Sequence, residues 1–191
     1  MILLAGNSGS GKTTVASELE NMGYTIVPTY TTRVPRPEDK GTICISETQF
    51  EYMQSHNKFM SCHMFNSKMG PVAYGIPIEE YEQVLEKGVI IVSLEYYEGI
   101  CRYVSRYTMD FPFLVYLDVD DLSIMENSLN DANREFSRND LISRLERDRE
   151  KNHHLKSISS LVIHNTGFRL SPSEIASIIR DQYNKIGGDS I

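Results

Sequence analysis

Gly6-Asn7-Ser8-Gly9-Ser10-Gly11-Lys12-Thr13 is the stretch on which the fold turns. It fits the phosphate-loop pattern GxxxxGK[ST] at every fixed position. The apolar run Met1 to Ala5 leads straight into it. Val15, Leu19 and Met22 follow at helical spacing, and Gly23 supplies a stop. Strand, glycine loop and helix therefore come in the order the motif requires. Glycines let the backbone curl until successive N–H groups converge on one anion, and the helix behind adds its positive end. Gly6, Asn7, Ser8, Gly9, Ser10, Gly11, Lys12, Thr13 and Thr14 are expected to hold a nucleoside triphosphate or a close polyphosphate. Lys12 would reach its β- and γ-phosphates, and the Thr13 hydroxyl would ligate Mg²⁺.

Outward from this loop, strands and helices alternate. Val89 to Leu94 and Phe113 to Val119 are apolar but for Ser93 and Asp118, as parallel strands covered on both faces should be. Ser160 to His164 is a weaker strand. Ser46-Glu47-Thr48-Gln49 has the form of a capping box and predicts a short helix with Phe50 and Met53 inward. Ile78, Tyr81, Val84 and Leu85 mark another helix, stopped near Gly88. Ser171, Pro172 and Glu174 open the last helix, with Ile175, Ile178, Ile179 and Ile186 inward and Gly187-Gly188 at its end. This rhythm predicts an α/β P-loop NTPase fold, a mostly parallel sheet flanked by helices. The stretch 29–74 breaks it and reads as a small inserted lobe. The polar helical stretch 121–154 reads as a lid. A single domain over 1–191 would then have its core at 1–28, 75–120 and 155–191.

Composition narrows the function classes. The chain has 191 residues, 40% of them apolar, and a net charge of −7. No apolar run approaches the ~20 residues that cross a bilayer, and no export signal is visible. The acidic balance disfavours binding to a nucleic-acid polymer, yet local Arg and Lys can still gather a small anion. Cys44, Cys62 and Cys101 are odd in number and far apart. They read as reduced, small buried side chains in a cytoplasmic protein. His56, His63 and His164 stand singly with no argued role, and His153-His154 reads as exposed imidazoles rather than a metal site. The expected partners are small molecules, and the expected state is a monomer or homodimer.

A second constellation is Thr31-Thr32-Arg33-Val34-Pro35-Arg36-Pro37-Glu38. Pro35 and Pro37 push their predecessors towards polyproline geometry, which puts Arg33 and Arg36 on one side, roughly 9 Å apart along the axis. Two guanidinium forks so placed can close on one phosphate.

With both constellations present the chain resembles the guanylate kinase family of nucleoside monophosphate kinases. The resemblance spans nearly the whole length. It takes in Gly6 to Thr13, Thr31 to Glu38, Tyr74-Gly75, Ile91 to Glu95, Arg134 to Arg138, Arg144-Leu145 and Asn165. It implies transfer of the ATP γ-phosphoryl group to GMP or dGMP with Mg²⁺. By position, Lys12, Arg33, Arg134 and Arg144 would be catalytic, with Arg138 a further lid arginine. Arg33, Arg36 and Tyr74 would hold the acceptor phosphate, Thr29 would touch the base, and Glu95 would face the acceptor nucleoside and the metal's waters.

Three departures accompany the resemblance. The family's Tyr shortly after the glycine at Gly41 is missing from Thr42-Ile43-Cys44. Ser61 stands where the family's guanine-reading Glu is expected. A carboxylate accepts two N–H bonds from guanine, whereas a hydroxyl accepts weakly and also donates. Asn7 replaces a common Pro in the glycine loop, a change expected to matter little. Tyr74-Gly75-Ile76-Pro77 is also similar to the ribose 1,5-bisphosphate phosphokinases, which share the fold and lack a base site. That leaves a sugar-phosphate kinase as the alternative enzyme. A non-catalytic guanylate-kinase-like binding module and a nucleotide-binding switch are further alternatives.

Overall fold

The structure is a computed structural model that describes residues 1–35, 41–67, 70–84, 86–107, 110–130 and 138–188. The first strand, β1 (Ile2–Gly6), lies in the middle of a five-stranded parallel sheet. The other strands are β2 (Thr25–Ile26), β7 (Gly88–Ile91), β8 (Phe113–Asp118) and β9 (Leu161–His164), in the order β2-β7-β1-β8-β9. Ile2, Leu3, Leu4 and Ala5 are all fully buried. Leu3 and Ala5 face one apolar cluster with Tyr81, Ile90 and Ile100. Ile2 and Leu4 face the other, with Leu19, Ile175 and Ile179. A strand with apolar residues at every position is what burial on both faces demands.

Helices cover the two faces: α1 (Lys12–Asn21), α4 (Leu94–Arg106), α5 (Asp121–Asn130), α6 (Arg138–Ile158) and α7 (Pro172–Gly188). The chain leaves β1 towards β2 and leaves β8 towards β9. The crevice between the carboxyl ends of β1 and β8 is therefore the switch point where ligands of open α/β sheets bind. The glycine loop occupies that end of β1.

The inserted stretch forms a second sheet, ordered β4-β3-β6-β5, from β3 (Thr29–Thr31), β4 (Thr42–Cys44), β5 (Phe59–Ser67) and β6 (Gly70–Pro77). Two short helices flank it, α2 (Glu47–Ser55) and α3 (Ile78–Gln83). The capping box predicted for α2 is present: Ser46 Oγ accepts from Gln49 N, and Gln49 Oε1 accepts from Ser46 N. Phe50 is buried and Met53 half-buried.

Some expectations need correction. The run Val89 to Leu94 is not one strand. β7 stops at Ile91, and Ser93 caps α4 by accepting from Tyr96 N, so Leu94 is already helical. α7 buries Ile175 and Ile179, but Ile178 and Ile186 are 37% and 57% exposed. The three cysteines are half-buried rather than buried, and none is in a disulfide. Among the described residues no helix is long and apolar enough to cross a membrane.

Candidate active site

Three positive-φ glycines shape the loop after β1: Gly6 (146°), Gly9 (86°) and Gly11 (87°). Gly6 also needs its missing side chain for space, because a Cβ there would lie 2.6 Å from the Leu117 carbonyl oxygen on β8. At Gly9 a Cβ would meet Ile124 of α5 at 2.9 Å. Ser10 N donates to Asn7 O at 3.1 Å and closes the turn. The Lys12 ammonium folds back over the loop, donating to the carbonyls of Gly6 (2.9 Å) and Asn7 (2.7 Å). Ser8, Thr13 and Thr14 are exposed, and the first turn of α1 carries no acidic residue to neutralise its positive end. The arrangement suits a polyphosphate. The described residues include no group of three or more His, Cys, Asp or Glu placed for a metal. The Thr13 hydroxyl fits a hard cation whose other ligands are phosphate and water oxygens.

Asn7 matters more than its sequence position suggested. Its Nδ2 donates to Asp121 Oδ1 of α5 (3.4 Å), and its Oδ1 accepts from Asn152 Nδ2 of α6 (2.6 Å). Arg149 of α6 pairs with the other oxygen of Asp121 at 3.5 Å. Two helices are thereby tied to the loop through one side chain. A proline at that position would have no such side chain.

The residue beside Asn152 reaches elsewhere. Lys151 donates to the carboxylate of Glu95, in the first turn of α4. Burial raises the pKa of Glu95, but hydrogen bonds from Lys151 and Ser93 outweigh it and hold the group below the usual carboxylate range. Consecutive residues of α6 thus touch the glycine loop and the helix start on which the inserted sheet rests.

That sheet is anchored at its Thr-Thr-Arg segment. Thr31 Oγ1 donates to Ala73 O (2.9 Å), and Thr32 Oγ1 accepts from Ala73 N (2.9 Å). Arg33 N donates to Thr31 Oγ1 at 3.3 Å, and its guanidinium donates to Val34 O at 3.0 Å. Register places Thr31 opposite Tyr74 and Tyr74 opposite His63, so the three share one face. Thr29 lies two residues before Thr31 on that same face. Ser61, two residues before His63, is buried and donates to the Glu95 carbonyl oxygen at 3.3 Å. It packs so closely on α4 that a Cβ at Gly99 would fall 2.2 Å from its Oγ.

The structure therefore brings Ser61, Tyr74 and Glu95 to one seam and sets Gly6 to Thr14 along the end of β1, the glycine loop and the first turn of α1. Arg36 and Arg134 lie outside the described residues. Arg144 lies on α6, with its side chain also outside them. Sequence reasoning passed over Lys151, Asn152, Asp121 and His63. No motif flags the first three, because their roles depend on how α5 and α6 cross the loop. His63 had one signal, a polar residue in phase with Ser61 on an alternating strand.

No protein-family model matches the chain, and no curated protein matches it. Among solved structures it is similar to a guanylate kinase from Anaplasma phagocytophilum, with a TM-score of 0.62 and 14% identity. The match covers 97% of this chain and 84% of that one. The fold is that of the P-loop kinases. A shikimate kinase from Acinetobacter baumannii, in complex with shikimate, aligns with a TM-score of 0.49 and 13% identity. That alignment covers 100% of this chain and 94% of that one.

Proposed function

We propose that the chain transfers the γ-phosphoryl group of ATP to the phosphate of a nucleoside monophosphate, with GMP or dGMP the first acceptor to test. The observation that carries this reading is the pair Lys151-Asn152. One residue holds Glu95 beneath the inserted sheet and the next holds Asn7 in the glycine loop. A donor cradle and a second phosphate-binding segment built on Thr31 to Arg33 then belong to one cleft. The carboxylate of Glu95 sits at the junction.

Phosphoryl transfer asks the protein for alignment, charge neutralisation and exclusion of water. The loop amides and Lys12 hold the donor phosphates. To do so the ammonium leaves the carbonyls of Gly6 and Asn7 for phosphate oxygens, which are better acceptors. Thr13 would supply a ligand to Mg²⁺, which when bound would help neutralise the donor phosphates. Arg33 and Arg36 hold the acceptor phosphate, while Arg134 and Arg144 neutralise charge as the lid closes. No general base is needed, since the attacking phosphate is already ionised.

A second reading has its own support. The Ser61 hydroxyl hydrogen is engaged by the Glu95 carbonyl, which leaves little at that position to read guanine and favours a sugar-phosphate acceptor. ADP release from ATP, measured with GMP, dGMP, AMP, UMP, CMP, dTMP and ribose 1,5-bisphosphate, separates the two. Turnover with a nucleotide is expected. Turnover with the sugar phosphate and no nucleotide overturns the proposal, and ATP binding with no turnover favours a binding module.

A further inference from the structure

Among the described residues, four buried side-chain polar atoms have no hydrogen-bond partner: Ser10 Oγ, both ring nitrogens of His63, and the Tyr96 hydroxyl. Three of these belong to two rings that touch, with centroids 4.2 Å apart. Tyr96 is 7% exposed. Buried polar atoms are ordinarily paired, and each one left alone costs stability. Three together in one place call for a reason.

Their place supplies it. His63 lies on β5, opposite Tyr74 in the register and two residues beyond Ser61. Tyr96 follows Glu95 at the start of α4. The pair thus sits in the seam between the inserted sheet and the core, beside the Lys151–Glu95 ion pair and next to the residues assigned to the acceptor phosphate. Phe65 stands edge-on to both His63 (4.7 Å) and Tyr74 (5.6 Å), so the surroundings are aromatic. Burial pulls the pKa of His63 down, while Glu95 opposes this more weakly. A neutral imidazole offers one N–H and one bare nitrogen, and the phenol adds one O–H.

Resting on the kinase reading above, we propose that His63 and Tyr96 read the nucleobase of the acceptor. They would hydrogen-bond an uncharged edge that carries both a donor and an acceptor, after the seam between β5 and α4 parts to admit it. The aromatic walls suit a flat ring more than sugar hydroxyls. Ser61, already bonded to the main chain, would not take part. A site built to bond a polar edge rejects ligands that lack it, because its own groups are otherwise left unpaired. That is the condition the two rings are in.

The test uses the full chain as wild type, His63→Phe, Tyr96→Phe and His63→Gln. The readouts are kcat and KM for each acceptor, KM for ATP, and the melting temperature. Phenylalanine keeps an aromatic ring at each position and removes the unpaired polar atoms, so the melting temperature should hold or rise in both Phe variants. Acceptor kcat/KM should fall about tenfold or more, the worth of a lost hydrogen bond, while the ATP KM stays within about twofold. His63→Gln, which keeps a donor and an acceptor, should recover part of the loss. Acceptor constants matching wild type in the Phe variants overturn the inference while leaving the kinase reading intact. So does a fall in melting temperature with acceptor and ATP constants worsening together, which marks a packing role only. Wild-type turnover of the sugar phosphate and of no nucleotide overturns both.

Discussion

Lys12 stands at the centre of the site, only part-buried, with its ammonium bonded to two carbonyls of its own loop. Lys12→Ala is expected to lower turnover about 10²–10³-fold, as loss of a charge at a developing anion does. The melting temperature should move by no more than about 2–4 °C, the equivalent of ~1 kcal/mol in a chain of this size. Steady-state rates and a thermal melt on the same preparation check this, and normal turnover would remove Lys12 from the mechanism. Arg36 is assigned to the other substrate. Arg36→Ala should raise the acceptor KM at least about tenfold, the worth of one charge-assisted contact, and raise the ATP KM much less. Equal increases in both would show that it is no acceptor clamp.

Three elements meet at Asp118, the last residue of β8. Its Oδ2 accepts from Lys156 of α6 (2.8 Å) and from His164 at the end of β9 (2.7 Å). Burial raises the pKa of Asp118, but the two bonds prevail and the group lies below its ordinary value. The folded pKa is thus depressed below that of the unfolded chain, whose carboxyl titrates at about 3.9. The resulting stabilisation is present above that value and is lost as pH falls through the lower, folded pKa. Asp118→Asn should therefore melt below wild type at pH 7, and the gap should narrow as pH drops under about 4. Melts at several pH values decide it, and a gap that does not change with pH would mean the carboxylate contributes no charge-dependent stability. Elements of this kind were legible where the signal is local. The glycine loop, the α2 capping box and β8 follow from neighbouring residues, whereas the end of β7 was missed because Ser93 caps a helix inside an apolar run. The bonds of Asp118, Asn7 and Glu95 join residues 38 to 145 positions apart. No periodicity encodes such pairings. The way α6 lies across the sheet brings Lys151, Asn152 and Lys156 to their partners, the β8–β9 register sets His164 beside Asp118, and α5 brings Asp121 to Asn7.

At the scale of the molecule, two sheets must keep a fixed spacing for two phosphates to meet in line, and that spacing is set where α4 rests on β5. Gly99 is a point of close approach. A Cβ there would lie 2.2 Å from Ser61 Oγ, 2.3 Å from its Cβ and 3.2 Å from its Cα. The last of these is backbone, which cannot swing aside as a side chain does. Gly99→Ala must then push the strand away from the helix, a cost of ~1–3 kcal/mol for overpacking, or a melting-temperature loss of about 2–12 °C. The displacement carries His63, Tyr74 and the Thr31 to Arg33 segment with β5 and β6 but leaves the loop after β1 alone. Acceptor kcat/KM should fall while the ATP KM holds. Ser61→Gly removes two of the three clashing atoms. On its own it loses the bond to the Glu95 carbonyl and stiffness in β5, so it too should destabilise. Together the two changes should cost less than their sum, with a coupling of at least ~0.5 kcal/mol in the double-mutant cycle. Strict additivity would mean that the sheets find another spacing at no expense, and that the distance between donor and acceptor is set by the bound nucleotides rather than by the contact of Gly99 with Ser61.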